Sequence, residues 1–199
     1  MKTRGHVAAW AAAGMAGLCL FARTAAGATE GSWPIAVAIA PSFEAPGADQ
    51  NVVGLRLNLL AARHRNVAFL DIGTLAGMVT EEAYGVQVVG LWNSTGSARG
   101  VLQVSGCVNR CYGDCYGAQL AGIHSRTDET FIGLQLAAVC SAKVLKGLQM
   151  GLINRTDNSS GVQIGIVNYA EQSEGIQFGL VNIMHEGRYP VMPLFNIGF

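Results

Sequence analysis

Charge is scarce in this chain, and uninterrupted apolar runs are scarcer. Asp, Glu, Lys and Arg make up only 13% of the 199 residues, whereas 50% are apolar. Yet no stretch after Ala28 approaches the ~20 consecutive apolar residues that a membrane-crossing helix requires. The motifs of familiar chemistries are missing too. There is no Gly-x-Ser-x-Gly elbow, no P-loop, no His-Glu-x-x-His, and no carboxylate pair on one strand face. His64, His124 and His185 share no spacing and read as loop residues, and the cysteines have neither zinc nor CxxC spacing. These absences argue against an enzyme, a cofactor and a metal site.

What is present begins with a leader. Lys2 and Arg4 precede an uncharged apolar run from Val7 to Ala22, and Ala26-Gly27-Ala28 has the small-x-small form of a cleavage site. Residues 1–28 read as a secretory signal peptide, leaving one domain over 29–199. Losing Lys2, Arg4 and Arg23 leaves ten cationic residues against thirteen acidic ones, a formal charge of −3. A strongly basic nucleic-acid binder is excluded.

The domain is built from one recurring segment. GLQMGLIN (Gly147 to Asn154), GVQIGIVN (Gly161 to Asn168) and GIQFGLVN (Gly175 to Asn182) follow one another at intervals of 14 residues. Alignment on the central residue gives nine copies, centred on Arg56, Asp71, Gln87, Gln103, Gln119, Gln135, Gln149, Gln163 and Gln177. Both neighbours of every centre are apolar, and the positions two away are mostly glycine or another small residue. This period of two is that of a β-strand with unlike faces, because a helix would scatter the two residue classes around its circumference. Earlier copies carry an extra residue, as in Val88-Val89-Gly90, and read as bulged. With Ser32–Ala40 and Pro190–Phe199 flanking the array, eleven strands are expected.

The segments between copies, such as RTDNSS after Asn154, are about six residues long and rich in turn formers. Parallel pairs need a crossover of a dozen or more residues. Antiparallel pairing therefore follows, and with it an all-β fold: a small meander closed as an outer-membrane β-barrel of 10–12 short strands. The amide face would line the interior and the aliphatic face would meet lipid. Arg56 and Asp71 would form an ion pair on that inner face. A structural or narrow-pore role follows, with outer-membrane lipid and the barrel-assembly machinery as partners. The alternating C-terminal strand with Phe195, Ile197 and Phe199 matches the form of an assembly signal.

The alternative is a β-solenoid of 14–16-residue coils carrying Gln and Asn ladders, the latter through Asn154, Asn168 and Asn182. It would act as a surface-exposed binding or adhesion module through its polar face. Against it stands the second half of each unit, which supplies few apolar residues to bury. Four cysteines of the exported domain, Cys107, Cys111, Cys115 and Cys140, are candidate disulfide partners, with a staple inside the Cys107–Cys115 loop the preferred arrangement. Asn93, Asn154 and Asn158 open glycosylation-type triplets that read as turn chemistry.

The Gly-x-Gln-x-Gly-Leu-x-Asn unit resembles a family of bacterial surface repeat-containing proteins. The likeness extends over Asn51 to Phe199 and is clearest from Gly147 to Asn182. Pro193, Asn196, Gly198 and Phe199 match the Pro-x-x-Asn-x-Gly-Phe ending frequent in that family. The resemblance implies placement at the cell surface or outer membrane, and no chemistry.

Overall fold

The segments between the repeat centres, which look like turns in the sequence, are strands. In the computed structural model, which describes residues 32–40 and 43–198, fifteen strands form one continuous wound sheet, with no helix among the described residues. They are β1 (Ser32–Ala40), β2 (Phe43–Ala45), β3 (Asn51–Asn58), β4 (Ala61–His64) and β5 (Asn66–Gly73). The middle of the chain supplies β6 (Ala76–Val89), β7 (Trp92–Ser105), β8 (Val108–Cys111), β9 (Cys115–Ala121) and β10 (His124–Leu136). The stack finishes with β11 (Val139–Met150), β12 (Ile153–Ser159), β13 (Val162–Ser173), β14 (Ile176–Met184) and β15 (Val191–Ile197). The expected signal peptide, residues 1–28, lies outside the described residues.

Successive copies pair parallel and in register. Gln119 lies beside Gln135, Gln135 beside Gln149, Gln149 beside Gln163 and Gln163 beside Gln177. The chain is a β-solenoid of about ten coils, and the closed antiparallel barrel is overturned, with the pore that depended on it. The physical reason lies in what counts as a connection. Each coil carries two strand segments on opposite sides of a flattened section, so neighbouring copies are linked by a whole 14–16-residue coil. That length satisfies the crossover requirement that six residues did not.

The halves read as turns alternate as strictly as the glutamine halves, but with polar residues inside. In Asn154-Arg155-Thr156-Asp157, Asn154 and Thr156 are buried while Arg155 and Asp157 point out. Asn93 and Asn154 of the glycosylation-type triplets are buried strand residues, not turn residues. The difference between 16- and 14-residue coils is absorbed at two places. One residue is lost at the corner after the centre, where Gln119 stands six before Ser125 but Gln135 only five before Cys140. The other is lost at a bulge in β10 between Thr127 and Thr130.

The interior has three kinds of content. An apolar row runs up one corner through Val52, Val67, Ala83, Ala98, Cys115, Phe131 and Leu145. The amide centres form the second row. The third, on the opposite sheet, runs through Asn93, Asn109, Ser125, Cys140, Asn154, Asn168 and Asn182. Buried amides are tolerated because most find a partner in an adjacent coil, although Oδ1 of Asn93, Asn109 and Asn154 and Oε1 of Gln177 have none. Every link of the glutamine row runs the same way, each Nε2 donating to the Oε1 one coil earlier. The distances from Gln103→Gln87 through Gln177→Gln163 are 2.7–2.9 Å.

The row's first members explain the two charged centres. Gln87 Nε2 donates to Asp71 Oδ2, so the donor end of an aligned amide chain meets a carboxylate. Arg56 neutralises that carboxylate with a two-pronged contact, Nε to Oδ1 at 2.7 Å and Nη2 to Oδ2. The expected Arg56–Asp71 pair is therefore present, fully buried. Gly77 makes room for it, since a Cβ there would sit 3.3 Å from Arg56 Nη2. The asparagine row runs the opposite way, Asn154→Asn168→Asn182 at 2.8 Å each, and ends on the Met192 carbonyl of β15.

Both ends of the stack are closed by reversed strands. β2 lies antiparallel to β1, and β15 antiparallel to β14. Asn196 takes the place opposite Gln177, so the last strand covers the final coil, but its amide donates to the Tyr189 carbonyl and the glutamine row ends at Gln177. Phe195 and Ile197 of the expected assembly signal lie on this capping strand with exposed side chains, and Phe199 lies outside the described residues.

Candidate functional site

None of the nine repeat centres reaches the surface, so they are structural and form no site. The cysteines are structural as well. Cys107, Cys111, Cys115 and Cys140 are all free, which corrects the expected staple. The presumed hairpin loop does not exist: Cys111 and Cys115 point inward from the two different sheets, and Cys107 sits at a corner. Cys111 Sγ donates to the Gly113 carbonyl at 3.5 Å, and Cys140 Sγ to the Met150 carbonyl at 3.5 Å. Contact with Cys111, reinforced by burial, pushes the Cys115 thiol far above the ordinary range, and burial pushes Cys140 up to about 11. His64 is not a loop residue but a buried member of β4, and Nε2 lies 3.1 Å from the Pro46 carbonyl.

Two outer surfaces remain as candidates. The first lies on the sheet opposite the glutamine row, where β10, β11 and β12 run side by side. A groove of about 490 Å³ opens there. Arg126, Ser141 and Arg155 stand in one register line across three coils. The two guanidinium stems are thus ~10 Å apart, two strand spacings, with a small serine between them as the floor. Val139 and Ile153 form one rim, while Asp128, Lys143 and Asp157 form the other.

The electrostatics of the groove are uneven. Asp128 accepts from Arg126 Nε at 2.5 Å and from Arg110 Nη2 at 2.9 Å. Partial burial works to raise the Asp128 carboxyl, but the two arginines outweigh it and hold it below its usual range. His124, 3.1 Å from Ser141 Oγ, is held below the ordinary imidazole range by burial and then by Arg126 and Arg110. Arg155 lies over the Tyr169 ring at 5.6 Å and has no carboxylate within ion-pair reach among the described residues. An exposed, unpaired guanidinium beside a notch suits an acidic group.

No protein-family model, curated protein or solved structure matches the chain.

The groove was encoded in segments that resemble turns. Ser125-Arg126-Thr127-Asp128 and Asn154-Arg155-Thr156-Asp157 share one in–out alternation, and that recurrence was the available signal. The second surface is the outer side of the glutamine strands. There the apolar neighbours of each centre stack coil upon coil, with Leu57, Ile72, Val88, Leu102, Leu136 and Phe178 all more than one-third exposed. The expected orientation, amides in and aliphatics out, is therefore observed, although it serves a solenoid.

Proposed function

We propose that this protein is an exported, surface-exposed β-solenoid that acts as a binding or adhesion module and performs no catalysis. The observation that carries this reading is the notch between Arg126 and Arg155, floored by Ser141 on a rigid stack of parallel strands. A solenoid supplies an extended side on which equivalent positions repeat at ~4.8 Å. An acidic polymer laid across the coils would place one anionic group between the two guanidiniums, with Lys143 as a further cation on the rim. The likeness of the repeat to bacterial surface proteins supports the same placement.

The test uses immobilised protein with dextran sulfate and polyglutamate as probes and neutral dextran as the control. Both polyanions should be retained, with retention falling as salt rises, as screening requires. Arg155→Ala should weaken retention about tenfold, a loss of ~1.4 kcal/mol, and Ser141→Leu should fill the notch with a similar effect. Equal retention of neutral dextran, or unchanged retention by both variants, would refute the reading. Recovery of the processed chain from the cytoplasm alone would refute the proposed export.

A further inference from the structure

The aliphatic wall is too large and too regular to be incidental. Its rungs run from Ile35/Val37 through the nine repeat copies to Ile176/Phe178, and β15 adds Phe195 and Ile197 in register with Phe178 and Ile176. Eleven rungs at the ~4.8 Å strand spacing span ~48 Å. Across the wall, two rows two residues apart are joined by a corner row that includes Leu91, Ile123, Leu152 and Leu180, all exposed. A width of ~17 Å, five residue rises along the strand, gives the wall an outline of ~800 Å². The largest patch on an ordinary monomer is ~300–600 Å².

We infer that this wall is the interface of a homodimer, packed face to face against the same wall of a second copy. The area decides the occupant. About 800 Å² from each partner is what a standard stable interface buries, and an isologous pair of identical faces supplies it with no other component. Charge points the same way. The flanking ion pairs Arg65–Glu81, Arg99–Glu82 and Lys143–Glu129 join adjacent coils and neutralise one another. Lys146 and Glu174 on the same margin have no ion pair among the described residues and offset one another, so no cationic belt is left to hold an anionic lipid surface, and two copies of so neutral a margin do not repel. Neither the groove nor its arginines belong to this wall, so the polar sides face outward in the dimer.

Full overlap of the two walls puts the two-fold axis at the middle rung, Ala118/Leu120, where a residue meets its own copy. Sedimentation of the full chain across micromolar concentrations should show a dimer. Leu120→Glu and Leu120→Lys should each be monomeric with unchanged far-UV circular dichroism, and a 1:1 mixture of the two should dimerise. As a milder variant, Leu136→Ser should weaken self-association about tenfold. A wild-type chain that stays monomeric overturns the inference, as does a dimer that survives both Leu120 substitutions. A monomer that floats with phosphatidylcholine–phosphatidylglycerol vesicles also overturns it and assigns the wall to lipid. Polyanion retention should be indifferent to the wall variants, so the two readings fail separately.

Discussion

Breaking the glutamine row in its middle should cost far more than breaking it at its end. Gln119 donates to Gln103 and accepts from Gln135 and Ser125 at 2.8, 2.8 and 2.9 Å. Gln119→Leu leaves an acceptor and up to two donors buried without these partners, at about 1–3 kcal/mol each. The added apolar surface returns ~1–2 kcal/mol, so two to three such groups at ~2 kcal/mol each leave a net loss of about 2–5 kcal/mol. Gln177 donates to Gln163 and to the Ile183 carbonyl, while its own Oε1 already lacks a partner. Gln177→Leu removes that orphan along with the donor, and its net cost is ~0–2 kcal/mol. Urea unfolding followed by circular dichroism and tryptophan fluorescence resolves the difference. With a slope of ~2 kcal/mol/M, the midpoints should lie ~1 M apart. If Gln119→Leu proves as stable as Gln177→Leu, the interior amides are filler and the argument for a directional row fails.

Three further outcomes concern His64, Phe69 and the four thiols. His64 is held down to about 4 by burial and then by Arg56, below its usual 6.5. The unfolded chain therefore binds the extra proton first, and the stability present above pH 6.5 is lost as pH falls from 6.5 towards 4. By pH 5 the loss should reach ~2 kcal/mol, and His64→Gln should flatten that limb of the urea-midpoint profile. Phe69 stands where other copies have glycine, with φ 89° and its ring 67% exposed. Phe69→Gly should relieve that backbone and raise stability by ~1 kcal/mol in the same assay; a lower midpoint would count against strain at this site. A chain of residues 29–199 should titrate four thiols in denaturant and react quickly only at Cys107 when native. Fewer thiols in non-reducing denaturant would restore the disulfide.

Much of the fold was legible because the glutamine halves follow a strict rule of alternation. Strand class, repeat positions, the Arg56–Asp71 pair and the inward amides all follow from it. Chain direction did not, because small-x-Gln-x-small reads alike from either end. The deciding information lay in Arg155-Thr156-Asp157 and its counterparts, whose polarity suggests turns when buried residues are assumed to be apolar. In this interior Thr156 is as buried as Leu145. The groove was hidden for the same reason, being the outer side of those segments. The wall is visible as a pattern, but without the architecture its natural counterpart is lipid.

The reversed strands at the two ends bear on how long such an object can become. Identical amide rungs with open backbone edges are the ingredients of fibrous growth, in which each molecule templates the next. Turning β15 against β14 presents newcomers with a strand of opposite polarity, interrupted by Pro193, where the parallel pattern cannot continue. The terminal fold-back thus makes a discrete particle out of a sequence that could otherwise polymerise without limit.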